Sequence, residues 1–269
     1  MTPLISIVVP TLNQAAYIEQ TLASLAAQGD VRLEIIVIDG GSTDGTREIV
    51  ERYPVTHFIS ERDSGQAEAI NKGFRLAKGD ILAWLNSDDY YLPLTLARAV
   101  AALGDPAQPA LIYGNGLLWY EEEQRPVVDR GRPFDREALR YCDYITQPAT
   151  FWTRALWEKT GELDQAMRFT LDWDWWLRAS AHCDLRHLDQ TLAVYRIHAQ
   201  HLTSSGSPKR VREIVEFVER HASAEWAAAF RDVAKRVPIA KTRFWKLHMP
   251  DLILRHGKKA EVAFWQLNM

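Results

Sequence analysis

Three short apolar runs separated by helical patterns constrain this chain more than any other feature. ISIVVP (5–10), LEIIVID (33–39) and DILAWL (80–85) are too short for buried helices and too continuously apolar for half-exposed strands. They read as strands covered on both faces. The segments between them have helical spacing. AAYIEQTLASLAAQ (15–28) sets Ile18, Leu22, Leu25 and Ala26 on one face, with Gly29 as its stop. GTREIVERY (45–53) and GQAEAINKGFRLA (65–77) predict two more helices, and THFISE (56–61) a short third strand. Strands alternating with helices of this length predict right-handed βαβ units around a mostly parallel sheet. Pro10 is expected to stop the first strand, because it has no N–H for a ladder.

Beyond Pro93 the pattern continues. LPLTLARAVAALG (92–104) predicts a helix, ALIYGNGLLWY (110–120) a strand or hairpin, and 121–150 a charged, irregular stretch. Helices are expected at TRALWEKTG (153–161) and DWDWWLRAS (172–180), and a strand at TLAVYRIH (191–198). From Ser207 the signal turns helical, with Val211, Ile214, Val215 and Val218 on one face. A main domain over residues 1–206 and a helical appendage over 207–269 are therefore expected.

The appendage is also the basic part: residues 207–269 carry thirteen Lys/Arg against seven Asp/Glu, in a chain of net charge −3. Lys235, Arg236, Lys241, Arg243, Lys246, Arg255, Lys258 and Lys259 face one acid, Asp251, with Phe244, Trp245 and Leu247 interleaved and Trp265 following. Such a mixture suits an anionic membrane surface; the plainer reading is helices packed on the domain with their charges solvated. The N-terminus lacks a basic n-region and a cleavage site, no run is long enough to span a bilayer, and Cys142 and Cys183 have no metal or redox spacing. These features predict a cytoplasmic protein, with peripheral contact at the inner face of the cytoplasmic membrane as the further reading of the tail.

In an open parallel sheet, ligands sit beyond the carboxyl ends of the strands. Four strands here end in polar or turn-forming groups: Pro10-Thr11-Leu12-Asn13, Asp39-Gly40-Gly41-Ser42, Glu61-Arg62-Asp63-Ser64 and Asn86-Ser87-Asp88-Asp89. They are expected to form one crevice edge. Each could instead be an ordinary turn or cap, but adjacent carboxylates fused to so apolar a strand call for compensation, which a divalent cation supplies. The signatures G-x-x-x-x-G-K-[ST] and, after the first strand, G-x-G-x-x-G are absent, which counts against nucleoside triphosphatases and ordinary nicotinamide dehydrogenases. Without a glycine-rich phosphate cradle, a nucleoside diphosphate needs a metal as counter-charge.

SIVVPTLNQAAYIEQTLASLAAQ, EIIVIDGGSTDGT, DSGQAEAINKGFRLAKGDILAWLNSDD and LDWDWWLRAS, in this order, resemble a family 2 glycosyltransferase of the GT-A fold over roughly residues 4 to 205. The resemblance implies a nucleotide-binding part over about 1–93 and an acceptor-side part over about 94–206. It implies nucleoside contacts from Pro10, Thr11, Asn13 and Asp39, donor-side contacts from Asp63, Gln66 and Lys72, and a metal-diphosphate element at Asn86-Ser87-Asp88 with Asp89 following. His198 is implied as a third ligand of Mn²⁺ or Mg²⁺, Asp172 as the catalytic base with Asp174 as the alternative, and Gln147 with Trp152 on the acceptor side. Trp152 and Trp157 could stack on a sugar, but aromatic residues in such places are more often core. Three departures from the family pattern stand out: Asn86 in the first acidic position, Gly40 where an acid often contacts the base, and Leu171 ahead of Asp172. The first shifts the metal to Asp88 and Asp89; the second weakens the choice of uridine over other nucleosides.

Chemistry supports separate carboxylates independently of the resemblance. Inverting sugar transfer needs one to deprotonate an acceptor hydroxyl and a metal to stabilise the departing nucleotide diphosphate. The expected function is transfer of a sugar from a nucleoside-diphosphate donor, with UDP or dTDP favoured, to a glycan or lipid-linked hydroxyl in bacterial surface polysaccharide synthesis. Two rivals remain: a sugar-nucleotide-binding module without catalysis, and a sugar-1-phosphate nucleotidyltransferase. The latter needs a basic glycine-rich loop after the first strand that VVPTLNQAAY does not provide. No nucleic-acid partner is expected.

Overall fold

The computed structural model describes residues 2–200, 207–236 and 249–268. The first half is the expected alternation: β1 (Leu4–Thr11), α1 (Ile18–Ala26), β2 (Arg32–Asp39), α2 (Thr46–Val50), β3 (His57–Ser60), α3 (Gln66–Leu76) and β4 (Ile81–Trp84). Strands β3, β2, β1 and β4 lie side by side in that order, all parallel. Their buried Ile and Val side chains account for the unbroken apolar runs. Strand β1 runs one residue past Pro10. Its pairing with β4 ends at Val8↔Trp84, while pairing with β2 continues through Pro10↔Ile38 and Thr11↔Asp39. Pro10 therefore sits where β1 has become an edge on one side, the place a sheet tolerates a missing N–H.

The second half closes the sheet in mixed fashion. After β5 (Tyr90–Tyr91) and α4 (Thr95–Leu103) come β6 (Leu111–Tyr120), β7 (Arg125–Asp129), α5 (Arg136–Leu139), a 3₁₀ turn (Gln147–Ala149), β8 (Thr150–Thr153), α6 (Arg154–Thr160), α7 (Leu171–Ala179) and β9 (Leu185–Ile197). The full order is β3-β2-β1-β4-β8-β6-β9-β5, with β7 on β6. β8 joins β4 and β6 antiparallel, whereas β6 and β9 are parallel. The parallel character expected of the whole sheet thus holds across its first four strands, and the stretch 121–150 is more regular than its charge suggests. The C-terminal part folds as α8 (Pro208–His221), α9 (Ala224–Ala234), α10 (Met249–His256) and α11 (Lys258–Asn268).

An aromatic cluster fills the junction of β4 and β8 with α3, α6 and α7. Trp84 stacks on Trp176 with centroids 5.5 Å apart and planes 6° from parallel, Trp152 touches Trp175 at 4.9 Å, and Phe74 touches Trp157 at 4.5 Å. Trp152 is fully buried, as the core reading has it, so the acceptor-side contact implied for it gives way: no open ring face is presented to the crevice. On α1 the inward fourth position is Thr21 rather than Ala26, which is exposed; the Thr21 hydroxyl has partners on β4's loop that an alanine could not engage.

The described cations of the tail are largely paired within the chain: Lys235 with Asp232, Arg255 with Asp251 and Lys259 with Glu225. Lys241, Arg243, Phe244, Trp245, Lys246 and Leu247 lie outside the described residues. Among the described residues no helix is long and apolar enough to cross a membrane.

Close approach of α3 to β1 depends on Gly73, where a Cβ would fall 2.4 Å from Val8 Cγ1. Replacing a helical glycine with alanine gains up to about 1 kcal/mol of helix propensity, but overpacking a tight core costs about 1–3 kcal/mol. Gly73→Ala is therefore expected to lower the unfolding free energy in urea; an unchanged or higher midpoint would show that α3 can move away freely.

Candidate active site

The order β2-β1-β4 brings three strand ends to one edge, at the point where the chain's progression across the sheet reverses. At the end of β1, Thr11 is buried and its hydroxyl has no hydrogen-bond partner among the described residues. Such a group is costly to leave unmatched and marks a place a ligand atom can occupy. Asn13 follows in the left-handed region, at φ 52°. Its amide oxygen accepts from Thr43 N–H at 2.9 Å, its own N–H donates to Ser42 Oγ at 2.7 Å, and Gln14 N–H donates to Thr46 Oγ1 at 2.9 Å. The loops after β1 and β2 are thereby laced together.

Asp39, at the end of β2, is fully buried. The Ser42 N–H donates to both its carboxylate oxygens at 3.1 Å, and the hydroxyls of Ser42 and Ser60 donate as well, Ser60 at 2.7 Å. Gly40 is the adjoining open position: a Cβ there would stand 3.0 Å from Asp63 Oδ2. Asp63 accepts from Gly65 N–H at 3.0 Å, and burial raises its carboxyl above the usual range. The glycine that replaces the family's acid is thus the one that admits Asp63 to this corner. Lys72, expected on the donor side, is held by Glu61 at 2.6 Å and Glu68 at 4.0 Å; that ion pair occupies its ammonium.

Asn86 joins three elements. Its amide oxygen accepts from Gln66 Nε2 at 2.8 Å, its amide nitrogen donates to Gln147 Oε1 at 3.2 Å, and Gln147 in turn donates to Trp84 O at 3.0 Å. Gln66, Asn86 and Gln147, singled out separately in the sequence, form one chain of amides. The next residues are pinned from α1: the Thr21 hydroxyl contacts Ser87 O at 2.9 Å and Asp89 O at 2.7 Å.

Asp88 and Asp89 face opposite ways. Asp89 is fully buried, accepting from Arg196 N–H at 2.9 Å and from the Asn86 amide at 3.4 Å. Burial, reinforced by the Asp88 charge, pushes its carboxyl well above the carboxylate range. Asp89, expected to help bind metal, is turned into the interior and anchors β9 instead. Asp88 keeps the crevice, with its Oδ2 3.3 Å from His198 Nε2. Its carbonyl accepts from Arg196 Nε at 3.0 Å, and the Arg196 guanidinium stands 4.7 Å from the Tyr17 ring centre, beside Gln20. Arg196 and Tyr17 escaped the sequence reading. The available signal was alternation: Arg196 and His198 are two apart, so they share one face of β9.

α7 is set against β4 by Trp176 on Trp84. Asp172 lies one turn N-terminal of Trp176, on the same helix face. It is half-buried, accepts from Trp173 N–H at 2.8 Å, and loss of surrounding water pushes its carboxyl up to about 6. Asp143 lies within electrostatic reach and is itself raised by burial and by Asp172. Asp174, the alternative base, is buried and bound to Arg178 Nε at 2.7 Å, while Arg178 also donates to Thr160 O and Glu162 O. Its role is to tie α7 to the loop after α6, and it is not free to accept a substrate proton.

A carboxylate oxygen and an imidazole nitrogen facing each other form a donor pair that suits a divalent ion such as Mn²⁺. Asp88 and His198 could supply two ligands; among the described residues no group of three or more His, Cys, Asp or Glu side chains is poised to hold a metal. Completing a coordination shell would fall to diphosphate oxygens and water. The opposed orientations of the two aspartates have separable consequences. Asp89→Ala leaves the Arg196 N–H and the Asn86 amide unmatched, an expected loss of about 1–3 kcal/mol in urea unfolding. Asp88→Ala removes the contact to buried His198 but also the charge that raises the Asp89 carboxyl, so its loss should be the smaller of the two. Equal losses would contradict the assignment.

The Glycosyl transferase family 2 model matches residues 6–155. A PGL/p-HBAD biosynthesis glycosyltransferase of Mycobacterium tuberculosis is 33% identical over 202 residues, spanning 72% of this chain and 77% of the relative. Among solved structures, the mannosyltransferase PcManGT from Pyrobaculum calidifontis, in complex with GDP-Man and Mn²⁺, has a TM-score of 0.63 at 21% identity, over 98% of this chain and 73% of that one. S. aureus TarS 1–349 in complex with UDP has a TM-score of 0.62 at 21% identity, over 91% and 75%. Of a longer TarS structure this chain spans about half, 49%, at a TM-score of 0.58. Shared sequence across most of the chain, and the same arrangement of sheet and helices, make this protein a member of glycosyl transferase family 2 with the GT-A fold.

Proposed function

We propose that the chain is an inverting glycosyltransferase that moves a sugar from a uridine or thymidine diphosphate sugar to a hydroxyl of a glycan or lipid-linked acceptor. Assembly of a bacterial surface glycan is the process this fits; the mycobacterial relative is named for PGL/p-HBAD biosynthesis. The observation that carries the reading is Asp172: a carboxyl raised to about 6, presented by a helix fixed against the strand that delivers Asp88. A carboxylate that titrates close to neutrality is suited to accept a proton from a sugar hydroxyl.

In this reading Thr11, Asn13 and Asp39 with its serine partners receive the nucleoside, Asp63 borders it, and Pro10 shapes the strand end. The Gln66–Asn86–Gln147 chain borders donor and acceptor, and Ser87 and Asp89 hold the loop in shape. Asp88 and His198 would hold a divalent ion, which when bound supplies positive charge to the departing diphosphate. Arg196 keeps the Asp88 backbone in place, and Asp172 takes the acceptor proton as the new glycosidic bond forms on the face opposite the leaving group. Membrane contact through the tail has no support of its own, since its described cations are largely paired within the chain.

Release of nucleoside diphosphate from a panel of UDP-, dTDP- and GDP-sugars with Mn²⁺ tests the proposal. Asp172→Asn should lower turnover about 10²–10⁴-fold while donor binding persists; unchanged turnover would refute the base, and no turnover of any donor by the unaltered chain would favour the binding-module rival. A base must be deprotonated to act. Because the Asp172 carboxyl is raised to about 6, turnover should climb as pH rises through about 6, rather than through the ordinary carboxylate range near 4. A flat profile between pH 5 and 7, two ends flanking that value by about one unit, would contradict it.

A further inference from the structure

At the N-terminus of the helix that carries Asp172, Thr170 makes no side-chain bond to the α7 amides among the described residues. The segment that leads into the helix is held instead from α8, more than forty residues along the chain. Glu213 Oε1 accepts from Arg168 N–H at 3.0 Å, Phe169 N–H at 2.6 Å, Thr170 N–H at 2.8 Å and the Thr170 hydroxyl at 3.0 Å, and Oε2 accepts from Arg168 N–H at 3.1 Å. One carboxylate thus gathers three consecutive backbone donors at a helix N-terminus, where negative charge is stabilised by the helix dipole and by charge-assisted hydrogen bonds.

α8 grips α7 a second time. Phe217, one turn beyond Glu213, lies against Trp173 with ring centroids 4.2 Å apart. The two contacts bracket Asp172, one just before it and one just after. Arg210, one turn before Glu213, is buried and donates to Leu267 O at 3.3 Å and Gln266 O at 3.4 Å, within electrostatic reach of Asp143 and Asp172. One face of α8 therefore holds the entry to α7, packs beside Asp172, and links it to the last helix, α11.

We propose that Glu213 is a positioning residue for Asp172: by collecting the Arg168, Phe169 and Thr170 amides it fixes the segment that enters α7, and with it the direction of the base. This rests on the reading of Asp172 as the base. It makes the C-terminal helices a working part of the site rather than an accessory to it. The charged groups facing Asp172 are then Glu213 and Arg210 from α8 and Asp143 from the segment before β8. The Glu213 charge raises the Asp172 carboxyl and Arg210 lowers it.

The test compares Glu213→Ala and Glu213→Gln in the full chain, using the nucleotide sugar that the unaltered chain turns over in the panel above. Glu213→Ala should lower kcat about 10–100-fold, with the donor KM within about twofold, because the donor edge is built by other elements. Glu213→Gln keeps an oxygen for the three amides and should recover most of that loss. Both variants remove a negative charge beside Asp172, so the acid limb of kcat should move to lower pH in each. The inference is overturned by an unchanged kcat and acid limb in Glu213→Ala, by loss of donor binding in parallel with kcat, or by a glutamine variant no better than alanine. Should the alanine variant fail to fold, the acid limb of Glu213→Gln decides: a downward shift supports the inference and no shift refutes it. If Asp172→Asn keeps full turnover, both this inference and the base assignment fall. If Asp172→Asn is inactive while Glu213→Ala matches the unaltered chain, only this inference does.

Discussion

Pairing of β1 with β2 on one side and β4 on the other is the constraint from which the site follows. The registers Thr11↔Asp39 and Val8↔Trp84 determine which residues stand at the crevice edge, and a shift of one residue would exchange inward for outward side chains. Because the strands are buried on both faces, that register is enforced by apolar packing, together with the buried Ser6–Glu34 hydrogen bond between β1 and β2. The polar residues at the strand ends are free to be chosen for chemistry. Pro10 marks the boundary: it sits where β1 has left β4 but still pairs with β2.

Two kinds of carboxylate meet at this edge, distinguished by their neighbours rather than by their type. Asp39 and Asp89 spend their oxygens on protein donors and give the loops their shape. Asp88 and Asp172 are less committed: the first contacts His198 and the second accepts from the Trp173 N–H. The opposition of Asp88 and Asp89 follows from local geometry: the Thr21 hydroxyl holds the carbonyls of Ser87 and Asp89, and Arg196 holds that of Asp88, so adjacent side chains emerge on opposite sides of the loop. The tryptophan stack sets α7, and with it Asp172, against β4.

The βαβ half of the fold was legible in the sequence because strand and helix periods there agree with burial. The mixed half was less so. β7 and α5 lie in a charged stretch; β7 pairs with β6 as a hairpin but is exposed or half-buried along its length, so it shows no buried apolar run to read, and β8 is short enough to pass for the start of α6. In the site, Gln66, Asn86, Asp88, Gln147, Asp172 and His198 were found from their chemistry and from resemblance. Their division of labour was not: a sequence does not say which of two adjacent aspartates points inward, nor that Asp174 is spent on Arg178. Arg196 and Glu213 were missed because each acts on backbone groups far away in the chain, and a contact of that kind leaves no spacing to read.

The central claim is that the β1–β4 edge takes a nucleoside diphosphate together with a divalent ion held by Asp88 and His198. Calorimetric titration of UDP, dTDP and GDP into the unaltered chain, with Mn²⁺ and with chelator, measures this directly. The account predicts that at least one nucleotide binds about tenfold or more tightly with Mn²⁺, a difference of about 1.4 kcal/mol, and that Asp88→Ala abolishes the difference. Equal affinity with and without Mn²⁺, or a metal effect that persists in Asp88→Ala, would contradict it.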